Sequence, residues 1–223
     1  MTVPTPPPSE VLAARVAELR ERIGSAGGDP DRVTIVAVTK TFPVEFARAA
    51  VDAGLLDLGE NYAQDLAARA EEAAAIGLTP RWHFIGGLQR NKIKLLAGRV
   101  ALWQTIDRDV LVTELAKRDP GARILIQVNT TGEQQKSGCA PGDARELVEQ
   151  ARAAGLDVAG LMTVGPTGGA DPRPAFDALR ELGARCEVAE LSMGMSGDYE
   201  LAVAAGATMI RVGSVLFGPR TPR

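Results

Sequence analysis

Val33-Thr-Ile-Val-Ala-Val-Thr-Lys40, with the amphipathic stretch Pro43–Ala53 behind it, sets the reading of the fold. A short apolar, β-branched run reads as a strand, and the segment after it carries apolar residues at helical spacing. The same couplet recurs down the chain. Further strand runs are predicted at Leu56–Gly59, Trp82–Ile85, Leu102–Ile106, Ile124–Asn129, Val158–Val164, Glu187–Leu191 and Met209–Val212. The clearest other helices are Tyr62–Ala75, Arg108–Arg118, Pro141–Ala154 and Pro172–Ala184. Strand and helix alternating at this interval call for a parallel sheet, and eight such units suit a closed, α/β class (β/α)8 TIM-type barrel. The competing architecture is an open doubly wound sheet. No Gly-rich dinucleotide turn follows the first strand, which counts against it.

Upstream of the first couplet, Leu12, Val16, Leu19 and Ile23 recur at steps of four, three and four, giving a helix with one apolar face before Gly24 and Gly27-Gly28. This extra N-terminal helix is expected to pack on the outside of the barrel. Met1–Pro8 holds four prolines and little to bury, so residues 1–8 read as a disordered lead-in and 9–223 as one barrel domain.

A chain of 223 residues with 45% hydrophobic content can bury a sizeable core. Its formal net charge of -3 argues against a general nucleic-acid binder, which needs many cations to neutralise phosphates. The local exception, Arg90, Lys92, Lys94 and Arg99, is read as a solvated helix face. No apolar run approaches the roughly 20 residues that cross a bilayer. Cys139 and Cys186 match no metal spacing, and no signal-peptide pattern opens the chain, so a cytoplasmic, membrane-free setting is expected. His83, the only histidine, leaves no His-rich metal site and is expected to be a hydrogen-bonded strand residue. Gly132-Glu-Gln-Gln-Lys-Ser-Gly138 lacks the Gly before Lys136 that a nucleotide phosphate loop requires.

In a barrel of this type the working residues lie at the C-terminal ends of the strands. Alternation along the first run puts Val36, Val38 and Lys40 on one face, which aims the lysine at the barrel mouth. Burial against apolar neighbours favours the free amine that attacks an aldehyde. Lys40 could equally snorkel to water or pair with Glu60. Barrels often bind phosphate with the loops after the seventh and eighth strands. Here these read Ser192-Met-Gly-Met-Ser-Gly-Asp198, leading into a helix, and Arg211-Val-Gly-Ser214, so Ser196, Gly213 and Ser214 are candidate anion donors. Gly and Ser also simply form turns, but two such loops at the two expected places favour phosphate. Arg211 shares a strand face with Met209 and Gly213 and projects its charge inward, towards a carboxylate or a cofactor ring nitrogen. Glu60-Asn61 and Gln89 fit helix caps or turns.

The order of motifs resembles the pyridoxal phosphate homeostasis protein family, whose barrel is similar to the N-terminal domain of alanine racemases. The landmarks are Ala37-Val-Thr-Lys40, Gly59-Glu-Asn-Tyr62, Trp82-His-Phe-Ile-Gly86, Leu88-Gln89, Asn91-Lys92 and Thr105-Ile-Asp107. Gln127-Val-Asn129, Lys136-Ser-Gly138, Gly160-Leu-Met162, Leu191-Ser-Met-Gly-Met-Ser196, Arg211-Val-Gly213 and Phe217-Gly218 continue them in register. The resemblance implies that Lys40 carries pyridoxal 5′-phosphate (PLP) as a Schiff base, with Ser196, Gly213 and Ser214 around its phosphate. It places Asn61 near the cofactor ring and Arg211 at the pyridine nitrogen. A cationic donor there weakens the electron sink that carbanion chemistry needs. Gly87 stands at a position that varies in the family.

Alanine racemases use a second, β-rich domain for an opposing base and a dimer contact, whereas this sequence stops at Arg223, directly after the eighth strand. The expectation is therefore a monomeric, non-catalytic PLP carrier or buffer that passes the cofactor to apo PLP-dependent enzymes and takes part in PLP and amino-acid homeostasis. The alternatives are a PLP-dependent enzyme such as a slow amino-acid racemase, and a phosphosugar-binding barrel that uses Lys40 as its Schiff-base lysine. A part for Lys136 as a second amine is left open by the sequence.

Overall fold

Eight parallel strands close on themselves in chain order: β1 (Thr34–Val38), β2 (Asp57–Glu60), β3 (Arg81–Phe84), β4 (Leu102–Ile106), β5 (Arg123–Gln127), β6 (Asp157–Met162), β7 (Glu190–Met195) and β8 (Met209–Val212). The seam pairs β8 with β1, from Thr34 beside Met209 to Ala37 beside Val212. This is a computed structural model that describes residues 5–218. Residues 1–4 of the expected lead-in and 219–223 lie outside the described residues. The helices are α1 (Ser9–Ser25), α2 (Val44–Asp52), α3 (Ala63–Ala75), α4 (Ile93–Leu96), α5 (Asp109–Arg118), α6 (Ala144–Ala153), α7 (Arg173–Arg185), α8 (Tyr199–Ala204) and α9 (Ser214–Phe217). The expected single (β/α)8 barrel with an extra N-terminal helix is the architecture found, and no helix among the described residues is long and apolar enough to cross a membrane.

The period of two along a strand divides the apolar residues between two layers. On β1, Ile35 and Ala37 join the layer between sheet and helices, while Val36 points into the barrel with Leu102, Leu125, Ala159, Met162 and Met209. The outer layer is much the larger. It holds the bulky side chains Phe46, Leu66, Trp103 and Phe176, each fully buried, where removal from water stabilises by about 1.5–3 kcal/mol per side chain. The interior is left with a small apolar cluster, and polar side chains complete it.

Helix α1 buries Leu12, Val16, Leu19 and Ile23, the stripe read from sequence, and its Arg15 Nη1 donates to the Leu216 carbonyl at 2.7 Å. Beside it Phe42 stacks on Phe46 at 4.2 Å between centroids, and Phe217 meets both edge-on at 5.7 and 5.5 Å. Phe42 lies two residues beyond Lys40 and Phe217 three beyond Ser214, so this trio holds the loop after β1 against the loop after β8.

Strand β7 departs from the expected Glu187–Leu191. It starts at Glu190 and runs to Met195, because the chain leaving α7 turns through Glu187 in a left-handed conformation (φ 53°) before it can extend. Ser192 to Met195 are thus strand rather than phosphate loop, and the loop proper begins at Ser196. The basic cluster is also less helical than expected: Arg90–Lys92 form a 3-10 turn, Lys94 sits in the four-residue α4, and Arg99 lies beyond it.

Candidate functional site

Lys40, Asn61, Ser196, Arg211, Gly213 and Ser214 converge on one cavity of about 410 Å³ at the C-terminal end of the strands. Val38, Ile85, Met162, Val164 and Met195 give it an apolar wall. Few polar groups set into an apolar hollow make the usual form of a small-molecule site. A larger hollow of about 520 Å³ lies between Arg90, Asn91, Lys94, Glu114 and Arg118, where the charges pair on the surface, Arg90 with Glu114 at 3.3 Å and Arg118 with Glu114 at 2.9 Å.

Half-buried Lys40 lies two residues beyond β1, and the next residue, Thr41, is held at φ 69°. A β-branched residue in the left-handed region costs about 1–3 kcal/mol and persists only where its surroundings impose it. Here they do: the Phe42 N–H donates to the Thr39 carbonyl at 3.1 Å, and Phe42 is locked into the aromatic trio. Behind the lysine, Thr39 Oγ1 donates to Glu60 Oε1 at 2.8 Å, and Arg69 Nε lies 3.3 Å from the same oxygen. Glu60 is fully buried. Burial pushes its carboxyl up to about 7, outweighing the pull of Arg69, the Thr39 bond and Lys40.

Asn61 follows β2, and its Oδ1 is buried without a hydrogen-bond partner. Its backbone is fixed by Gly86, where a Cβ would fall 1.9 Å from the Asn61 carbonyl oxygen. An acceptor held in place without a donor suits a ligand contact.

Arg211, on β8, is 4% exposed. Its Nη1 donates to Ser192 Oγ at 2.6 Å and its Nη2 to the Thr163 carbonyl at 2.7 Å. Burial lowers its pKa to about 10 against the opposing charge of Asp198, so it remains a cation at neutral pH. Ser192, expected in the phosphate loop, instead orients this guanidinium.

The loops after β7 and β8 meet where the Gly213 N–H donates to Ser196 Oγ at 3.2 Å. The Met195 N–H donates to Asp198 Oδ1 at 2.6 Å and tightens the first loop. Ser196 keeps its own proton for an anion, and Ser214 adds an exposed hydroxyl beside it. A lysine amine, two hydroxyls and an oriented guanidinium in one cavity fit a phosphorylated aldehyde. Lys136 does not line it: its ammonium pairs with Glu133 at 2.8 Å and donates to the Gly165 carbonyl. Cys139 and Cys186 are free thiols, and burial pushes Cys139 up to about 12.

Sequence reading put Val38 on the Lys40 face and Thr163 and Ser192 at strand ends, but it missed the rest of the apolar wall, the supports Thr39 and Arg69, and the part Thr163 and Ser192 play in holding Arg211. Alternation from Lys40 back to Val38 was the available signal for the wall. The supporting bonds had none. His83, expected to be a hydrogen-bonded strand residue, contacts Gln104 and Asp57 inside the barrel.

The family described as alanine racemase, N-terminal domain, matches residues 10–221. A pyridoxal phosphate homeostasis protein of Pseudomonas aeruginosa is 39% identical over 221 residues, covering 95% of each chain. The solved structure of PipY of Synechococcus elongatus with PLP bound is 30% identical with a TM-score of 0.81, over 93% of this chain and 100% of that one. Alanine racemase from Streptomyces coelicolor, 23% identical, shares the fold with a TM-score of 0.72 over 95% of this chain and 59% of its own. Matched across the whole barrel by both sets of relatives, the chain belongs to the pyridoxal phosphate homeostasis protein family, within the wider family of alanine racemase N-terminal domains.

Proposed function

We propose that this protein binds PLP at the barrel mouth through Lys40 and serves as a carrier or buffer in PLP and amino-acid homeostasis. The observation that carries the reading is the convergence of the six candidate residues on one cavity, with the Asn61 Oδ1 acceptor unfilled. PLP supplies an aldehyde that condenses with a lysine amine. Lys40 provides that amine, with the buried Glu60 carboxyl behind it as a proton store. Ser196, Gly213 and Ser214 hold the phosphate, Asn61 contacts the ring, and Arg211 faces the ring nitrogen. Residues 9–223 act as one unit, a cytoplasmic monomer that exchanges its cofactor with apo PLP-dependent enzymes.

A non-catalytic role agrees with the side chains at the mouth. Racemisation needs proton transfer on both faces of a substrate carbanion. Among the described residues lining the cavity, Lys40 and Arg211 are the ionisable ones, and Arg211 is a cation that disfavours protonation of the ring nitrogen. A slow racemase is the second reading, favoured by the likeness to the alanine racemase fold.

The test is the visible spectrum with and without borohydride, followed by peptide mapping. Pyridoxyl mass on the peptide carrying Lys40, lost in Lys40→Ala, is the expected result. A protein that stays colourless with PLP, or prefers a sugar phosphate, overturns it. Chiral assay with alanine and serine separates the two roles, since turnover near about 10 per second, ordinary for enzymes, would remove the carrier reading.

A further inference from the structure

Arg211 begins a line of hydrogen bonds that crosses the inside of the barrel. Arg211 Nη1 donates to Ser192 Oγ (2.6 Å), Ser192 Oγ donates to Gln104 Oε1 (2.7 Å), Gln104 Nε2 meets His83 Nδ1 (2.8 Å), and His83 Nε2 meets Asp57 Oδ1 (3.0 Å). Asp57 opens β2, at the end of the barrel opposite the cavity, where it is also bound by Arg81 at 2.6 Å. Ser192 and Gln104 are fully buried, and His83 is 3% exposed.

The two ends, with a neutral imidazole between them, fix the direction of every link. A guanidinium only donates and a carboxylate only accepts. Ser192, accepting from Arg211, passes its own proton to the Gln104 carbonyl, which leaves the Gln104 amide to donate to His83 Nδ1. The remaining imidazole proton then sits on Nε2 and faces Asp57. With the Gln104 amide turned over, His83 Nε2 would confront the carboxylate as a bare acceptor unless the ring took a second proton. The chain thus runs one way from a buried cation to a distant anion, and aligned bonds in a low dielectric polarise one another.

Arg211 needs such help. Its acceptors among the described residues are a hydroxyl and a carbonyl, both neutral. Apolar packing of the interior would cost less than a row of buried polar groups. We infer that Gln104, His83 and Asp57 are positioning residues for Arg211, fixing the plane of its guanidinium from the far end of the barrel and tuning how tightly the cofactor is held. The last part rests on the PLP reading; the first does not.

The experiment therefore has two arms. In the PLP-free protein, side-chain nitrogen NMR should find His83 protonated on Nε2 alone and the Arg211 Nη groups rotating slowly. Gln104→Met and Asp57→Asn should free that rotation while the fold, followed by circular dichroism, stays intact. In the PLP-loaded protein, the same variants should shift the visible band and speed cofactor release about three- to tenfold. Ser192→Ala should exceed both and Ser192→Thr should restore slow rotation. Arg123→Ala, at the same end of the barrel but outside the chain, should alter neither readout. Unchanged Arg211 rotation in folded Asp57→Asn and Gln104→Met overturns the inference. If Gln104→Met does not fold, Asp57→Asn at the rim decides alone. Failure of the wild-type protein to take up PLP would defeat the binding reading while the first arm still judges the chain.

Discussion

At the end of the barrel where the strands begin, charges meet opposite charges. Arg81 binds Asp57 at 2.6 Å, and Arg123 spans Asp157 and Glu190, both at 2.7 Å. At the end where the strands finish, Arg211 rests on neutral acceptors, Asn61 Oδ1 has no donor, and Thr41 is held in a strained conformation beside Lys40. At the first end the charges are paired by the protein itself, with Glu190 Oε2 the buried oxygen left over; the other end keeps capacity that a ligand can complete. That division matches the general separation of stability and function between the two faces of such barrels. It also says where substitutions should affect binding and where they should affect only the fold.

The largest effect is expected from Gly86→Ala at the mouth. The added Cβ would meet the Asn61 carbonyl oxygen at 1.9 Å and the carbonyl carbon at 2.6 Å, and a backbone neighbour cannot move aside as a side-chain tip can. Overpacking of this kind should cost about 3 kcal/mol or more in denaturant unfolding and displace Asn61 enough to weaken PLP uptake. Gly87→Ala is the control, since nothing lies within 4 Å of its added Cβ, and it should change stability by less than about 0.5 kcal/mol. Equal effects of the two would show that Asn61 is not braced through Gly86.

Glu60 sharpens the comparison through pH. Its carboxyl is raised from 4.5 to about 7 in the folded protein, chiefly by burial. The folded state therefore binds a proton that the unfolded state releases, and this contribution is complete below about pH 4.5 and lost as pH rises through about 7. A shift of that size is worth about 3 kcal/mol at most. Glu60→Gln, which stays neutral, should flatten the fall in stability across that window and gain most at pH 8. Asp57 has the opposite sign. Burial alone would raise it, but hydrogen bonds from His83 and Arg81 hold it at about 2, so its contribution is lost only in acid. Urea midpoints for Glu60→Gln between pH 4 and pH 8, and for Asp57→Asn between pH 2 and pH 5, test the signs; a Glu60→Gln profile parallel to wild type would mean the buried carboxyl does not titrate there.

The outline of the barrel was legible because strand and helix leave different periods in the sequence. Val33–Thr39 read correctly to within a residue at each end, and its alternation placed Lys40 at the mouth. Glu187–Leu191 failed for a local reason: nothing in a glutamate announces the left-handed turn that delays β7 to Glu190. The candidate site was reachable from the rule about strand ends and from the ordered motifs. Its supports were not. Thr39 and Glu60 stand 21 residues apart, and Ser192 and Gln104 stand 88 apart, so their bonds exist only once the sheet has closed.

The smallest effect is expected from Arg123→Ala at the closed end. The Arg123 side chain is 46% exposed, and those of its partners Asp157 and Glu190 are 51% and 28% exposed, so water and salt already screen both contacts. Exposed pairs contribute about 0.2–1 kcal/mol each, and part of any loss would come from leaving two carboxylates as neighbours. Stability should therefore fall by about 1 kcal/mol, less in high salt, with PLP affinity unchanged. A matching fall in affinity would mean that the rim as a whole, and not the single line through Asp57, communicates with the mouth. Salt-dependent unfolding beside a PLP titration decides this, because a rim acting through bulk electrostatics would lose its influence as ionic strength rises, whereas buried hydrogen bonds would keep theirs.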